Sequence, residues 1–214
     1  MKTKTIILYD YNELSDEAKE NVKQWYLDDP FRSDMLTEDF EESFLKYFFP
    51  RSNLKVQWSL NSCQGDGVNI YGTLNLNDVL NYIEKWNPDE HSICKYAFDP
   101  RELFTEKEQK RLAFYREESG RDAELPHNWR YTYCIANQVD FAEDMIDDLD
   151  GFRDVDADLI RQFEMAVVKI VDSLCDEMED YGYKYLYEVD EEEIAEVCEA
   201  NDWTFTADGK FEVA

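Results

Sequence analysis

The chain has 214 residues, 50 of them Asp or Glu against 22 Lys or Arg, for a formal net charge of −28 at pH 7. A field of that sign opposes direct contact with nucleic acid or an anionic membrane, because each phosphate contact needs a Lys or Arg; it suits a basic protein partner. Hydrophobic residues make up 43% and aromatics 15%, enough for a packed core, and no run approaches the ~20 apolar residues that span a bilayer.

Lys4 to Tyr11 reads as an opening strand. Ser15 is a good N-cap, with Asp16 and Glu17 in the first turn of a helix whose apolar stripe is Ala18, Val22, Trp25 and Tyr26. Pro30 ends it. Thr37 is expected to cap a second helix, with Phe40, Phe44, Tyr47 and Phe48 on one face. From Leu54 to Leu74, two runs of alternating character flank Gln64-Gly-Asp-Gly67. Val56, Trp58 and Leu60 sit two apart, as do Val68, Ile70 and Gly72, so each run gains one apolar face and the whole predicts a β-hairpin.

Asn75 or Asn77 can cap a short helix holding Val79, Leu80, Tyr82, Ile83 and Trp86. Phe104 to Arg121 predicts a charged helix laced by pairs such as Glu106–Lys110 and Glu108–Arg111 rather than a basic contact patch. Trp129 to Val139 predicts a further strand beside the hairpin. From Asp140 to Asp202 there are 23 acids against four bases, a local charge of −19. Within that stretch Asp156 to about Tyr181 predicts a long helix, with Leu159, Phe163, Val167, Ile170, Val171, Leu174 and Met178 recurring at three and four to pack on the sheet. A short helix over Asp190–Glu199 and a hairpin over Thr204–Val213, turning at Asp208-Gly209, close the chain. The expected fold is a single α+β domain: a small antiparallel sheet built on the central hairpin, covered by helices, with residues 140–202 as a strongly acidic helical part.

The residues do not define a reaction. Cys63, Cys94, Cys134, Cys175 and Cys198 are odd in number, widely spaced and without a Cys-x-x-Cys pair, the pattern of a reduced chain with buried thiols. Met1-Lys2-Thr3-Lys4 precedes too short an apolar run for a signal peptide, so the cytoplasm is the expected location. His91-x-x-Cys94 lacks the second pair that zinc requires. Setting Gly151 at the glycine of an EF-hand loop puts Ile146 at the first ligand position and Ala157 at the twelfth, where carboxylates are needed. Gln64-Gly-Asp-Gly67 has no Lys, and Asp66 would repel phosphate. No catalytic residue, metal or cofactor is therefore expected, and the chain reads as a binding protein rather than an enzyme.

Three segments carry a resemblance. Glu13-Leu-Ser-Asp-Glu-Ala-Lys-Glu20, Trp58-Ser-Leu-Asn-Ser-Cys-Gln-Gly-Asp-Gly-Val68 and Glu199-Ala-Asn-Asp-Trp-Thr-Phe-Thr-Ala-Asp-Gly-Lys210 resemble motifs of a family of accessory proteins from phages, plasmids and integrative elements. Members are often labelled antitoxins of a toxin–antitoxin stability system. The resemblance implies a mobile-element accessory protein in the host cytoplasm and carries no catalytic residues. Together with the charge, it leads to an expected inhibitor of a host defence nuclease, of the anti-CRISPR or antirestriction kind; the alternative is an antitoxin that neutralises a basic toxin. Along 156–181 the eight acids average about one per 5 Å at 1.5 Å per residue, sparser than one DNA strand. The expected contact surface is therefore the helix ends and flanks: Asp144, Asp147, Asp148, Asp150, Asp154, Asp156 and Asp158 at one end, and Asp176, Glu177, Glu179 and Asp180 at the other.

Overall fold

The computed structural model describes residues 6–61, 65–87, 89, 99–127 and 139–212. Cys63, Gln64, His91, Cys94, Cys134 and the strand expected over 129–138 lie outside the described residues. The protein mixes helices with a small antiparallel sheet, an α+β fold. The chain divides into two compact units: Met1–Leu36 with Tyr183–Ala214, and Thr37–Gly182.

In the first unit, α1 (Asp16–Leu27) begins where the Ser15 hydroxyl accepts from the Ala18 N–H at 3.3 Å, satisfying one of the donors a helix start leaves free. Ala18 and Val22 meet Ile194 and Cys198 of α8 (Glu191–Ala200), together with Tyr11, Leu14, Val189 and Phe205. Asp190 caps α8, accepting from the Glu193 N–H at 2.7 Å. The closing hairpin is β4 (Thr204–Phe205) and β5 (Phe211–Glu212). Among the described residues of the expected opening strand, Tyr9 alone pairs, exchanging two hydrogen bonds with Phe205. Trp25 lies edge-on to Trp203 and stacks on Phe211 at 4.9 Å. Arg32, 4% exposed, sits between the rings of Tyr26 and Tyr185 and donates to the Tyr185 carbonyl.

The second expected helix starts earlier and winds differently. α2 (Phe31–Asp39) already contains Thr37, so Thr37 is not its cap; it accepts the Trp58 indole N–H at 3.0 Å. A π-helical segment, Phe40–Leu45, follows, and then one α-turn, α3 (Lys46–Phe48). The wider π turn shifts the phase of the stripe. Phe40 and Phe44 stay inside, Leu45 and Phe49 join them, and Tyr47 is turned out to 61% exposure.

β1 (Asn53–Ser59) and β2 (Gly67–Leu74) form the expected hairpin, with Val56 opposite Ile70, Trp58 opposite Val68 and Leu54 opposite Gly72. Its third strand is β3 (Ala123–Leu125), paired to β2 from Gly72↔Leu125 to Leu74↔Ala123; the sequence had not marked this segment as a strand. Asn75 caps α4 (Leu76–Lys85). In that helix's first turn Asp78 is fully buried and holds the Arg51 N–H and Ser52 hydroxyl at 2.8 and 2.9 Å. α5 (Glu106–Ser119) opens on a Thr105/Glu108 capping box. α6 (Ala142–Asp148) precedes α7 (Ala157–Tyr187), which runs one to two turns past the expected end. Leu159, Phe163, Val167, Ile170, Val171, Leu174 and Met178 are all buried, each contributing about 1.5–3 kcal/mol. Phe163 meets Phe104 and Phe141, Tyr181 meets Phe40 and Phe44, and Cys175 lies against the Ile70 backbone.

Gly65 and Gly72, both at φ near +100°, differ in what surrounds them. At Gly72 (φ +113°) a Cβ would stand 2.3 Å from the Asn53 carbonyl oxygen, whereas at Gly65 (φ +104°) it would meet nothing within 4 Å. Gly72→Val is expected to cost at least ~3 kcal/mol, from backbone strain plus a clash with main chain. Gly65→Ala carries the strain alone, about 1–2 kcal/mol. Denaturant midpoints check the order; equal losses would contradict the close approach of the strands.

Candidate acidic interaction surface

The acids expected to make contacts separate into two groups with different surroundings. The first group frames α6 and the start of α7. Arg121 binds Asp148 and, at 3.1 Å, Asp144; it holds the Asp148 carboxyl below the usual carboxylate range. Arg161 lies 2.8 Å from Glu143 and 3.5 Å from Asp158. Arg111 bonds the Tyr115 hydroxyl at 2.6 Å, Asp156 at 3.3 Å and the Asp154 carbonyl oxygen. Asp156 also caps α7, accepting from the Leu159 N–H at 3.2 Å. Asp147 and Asp150 are exposed and carry no ion pair among the described residues. Much of this end is thus neutralised locally, and by bases of the expected charged helix: Glu106–Lys110 pairs as the spacing suggests, but Glu108 turns back to Thr105 and Arg111 reaches across to Asp156.

The second group lies on one side of α7. Asp172, Asp176 and Asp180 follow at intervals of four, with Glu179 beside them, and no cation pairs with any of the four among the described residues. Glu177 does not belong to this surface: it is 3% exposed and part of the interior. Asp172 was passed over in the sequence, although its spacing to Asp176 and Asp180 marks a shared face. Burial, with Asp176 next to it, pushes the Asp172 carboxyl up to about 6. Asp176 is raised by burial and by Asp180. Glu179 is raised by burial, by Asp176 and Asp180, and by Asp66 on the hairpin. Asp66, 2% exposed, is itself held by the Asn61 N–H at 2.6 Å and the Ser59 hydroxyl at 3.2 Å, so the Gly-Asp-Gly segment is a structural closure.

Among the described residues no group of three or more His, Cys, Asp or Glu is placed to hold a metal ion. Cys175 is buried and its thiol is pushed up by desolvation; burial raises the Cys198 thiol to about 11, so neither supplies a thiolate near neutral pH. His127 lies against the Tyr71 ring at 4.3 Å. No described helix is long and apolar enough to cross a membrane. No protein-family model matches the chain, and no match was found among curated proteins or solved structures.

The raised carboxyls make a signed prediction. Asp172 titrates at about 6 in the folded chain and at ~3.9 when unfolded. Between those values the folded state binds more protons, so stability falls as pH rises, and the full penalty stands above the folded value. Asp172→Asn is expected to stabilise the protein at pH 7 by about 1 kcal/mol, solvent screening having reduced the gain. The gain should vanish near pH 4. Melting temperatures across that range check it; a variant that melts lower than wild type at pH 7 would show that the carboxylate is satisfied.

Proposed function

We propose that this chain is a phage or mobile-element inhibitor of a host defence nuclease, of the anti-CRISPR or antirestriction kind, acting in the host cytoplasm as a binding protein and not as an enzyme. It docks its acidic surface on a basic nucleic-acid groove. The observation that carries this reading is the row of four carboxylates on α7 with which no cation pairs among the described residues. Asp172 to Asp180 spans about 12 Å at 1.5 Å per residue, in steps of about 6, 4.5 and 1.5 Å, so these charges average about 4 Å apart along the axis. That is close to the ~3.4 Å spacing of one DNA strand, and denser than the helix as a whole. Asp147 and Asp150 extend the acidic character elsewhere on the same unit. The resemblance to mobile-element accessory proteins supports the same class of partner. An antitoxin would use such a surface on a basic toxin, and the choice of partner decides between the two.

Four changes together, Asp172→Asn, Asp176→Asn, Glu179→Gln and Asp180→Asn, are expected to weaken inhibition of plasmid cleavage at least tenfold and to flatten its dependence on salt. Asp144→Asn with Asp148→Asn should change it less, because Arg121 already neutralises that pair. The measurement is cleavage by a panel of purified Cas effectors and restriction endonucleases at low and high ionic strength, with guide RNA or duplex DNA as competitor. Cleavage unaffected by excess protein throughout the panel, together with rescue of cells from a small basic toxin, would replace the nuclease reading with the antitoxin one.

A further inference from the structure

Within the first unit, at the end of α8, lies a cavity of about 270 Å³ whose walls include Asp10, Tyr11, Glu13, Glu199, Asp202 and Trp203. Asp10 and Glu13 flank the single 3-10 turn Tyr11–Glu13, where Glu13 accepts the Asp10 N–H at 3.1 Å. Glu199 and Asp202 sit at the C-terminus of α8, whose last turn holds no base. The helix closes with the Trp203 N–H on the Cys198 carbonyl at 2.9 Å and the Asp202 N–H on the Glu199 carbonyl at 3.2 Å. This is a Schellman closure, in which the left-handed residue is usually glycine. Here it is Asp202, at φ +52°. A carboxylate at the negative end of a helix dipole is unfavourable, and the left-handed backbone adds strain that glycine would not carry. A cation in the cavity would offset the first of these costs.

The walls narrow the kind of cation. All four carboxylates are exposed, and none has a cation partner among the described residues. Lys19 stands over the Tyr11 ring at 5.3 Å, but Glu191 binds it at 2.7 Å and it is outside the lining. Tyr11 is 4% exposed, and among the described residues its hydroxyl has no hydrogen-bond partner. Burial, with Glu191, Cys198 and Glu20 around it, pushes that hydroxyl up to about 12, so near neutral pH it keeps its proton and its oxygen can accept. Trp203 is half-buried and meets Trp25 and Phe211 edge to face, at 5.2 and 5.8 Å. Among the described residues no three acids converge as metal ligands. Spread carboxylates beside an indole suit a broad planar cation instead. A guanidinium stacks on aromatic rings, pairs carboxylates with two N–H groups at once and is weakly hydrated. The volume is below that of sites for drug-sized ligands and fits one side chain.

We infer that this cavity receives an arginine side chain of a partner protein, its guanidinium against Trp203 and among the carboxylates of Glu199 and Asp202. It does not rest on the α7 carboxylates, which belong to the other unit. The test titrates the full chain with N-acetylarginine amide and follows the tryptophan indole N–H resonances, with Trp203→Phe to assign the one from this site. N-acetyllysine amide, the neutral N-acetylcitrulline amide and magnesium chloride are the comparisons. The arginine amide is expected to bind saturably and the lysine amide roughly threefold more weakly, while citrulline amide and magnesium leave the Trp203 resonance in place. Glu199→Gln should weaken arginine binding roughly threefold. Asp202→Gly should weaken it by the same factor while melting no lower than wild type, because glycine takes the left-handed backbone freely. Asp172→Asn with Asp176→Asn should leave the affinity unchanged. No saturable binding, equal binding of the lysine or citrulline amide, an equal shift with magnesium, or full affinity in Asp202→Gly would each overturn the proposal.

Discussion

Because Asn53 lies opposite Thr73 and Ser59 opposite Gly67, Val56 and Ile70 share one face of the hairpin with Trp58 and Val68. A slip of one residue would move that whole set to the other face. Two contacts hold the register from outside the ladder. Gly72 brings β2 so near Asn53 that no side chain fits between them, and Asp66 ties the far end to Ser59 and Asn61. With that face fixed, Trp58 reaches Thr37 and Phe40, and Ile70 meets Cys175 of α7. The π-helical segment is part of the same solution. Within it Phe40 and Phe44 both meet Tyr181.

Electrostatic pairing then sorts the acids. With 22 bases for 50 acids, most carboxylates must go unpaired. Arg111, Arg121 and Arg161 converge on the α6 end, where they join separate segments: Arg121 leaves β3's approach for Asp144 and Asp148, and Arg111 reaches the Asp154–Asp156 turn. Such half-exposed pairs contribute little stability each, but they set where negative charge is left over. Among the described residues, the side of α7 from Asp172 to Asp180 is one stretch left without a paired base, as are Asp147 and Asp150.

The sequence carried the hairpin, because two runs of period two flank a glycine-rich segment, and it carried α1, α4 and α8, because Ser15, Asn75 and Asp190 mark their starts; the pairing register comes from the structure. It carried α7's stripe for the same reason of period. It did not carry β3, three residues whose strand character comes from pairing with β2 alone. Nor did it carry the π segment, since Phe40, Phe44, Tyr47 and Phe48 fit an α-helical face equally well and only packing against Trp58 and Tyr181 distinguishes them. The acid surface was half legible. Composition located the charge, but burial of Glu177 and the cross-chain partners of Arg111 and Arg121 arise from tertiary neighbours that no local spacing encodes.

Asp172, Asp176 and Glu179 of α7 do not stabilise the fold they sit on. Burial and mutual repulsion raise Asp172, Asp176 and Glu179 together, and charged groups held against their own ionisation cost folding free energy above their folded pKa. A carboxylate that costs stability and has no cation beside it among the described residues fits a position where function and stability oppose each other. For the proposed docking surface the cost has a use. A basic groove placed over these residues would favour their charged form, lowering each raised pKa and releasing protons as it binds. Part of the repulsion stored in the free protein then becomes affinity for the partner, and this part grows as pH rises through the window in which Asp172 ionises.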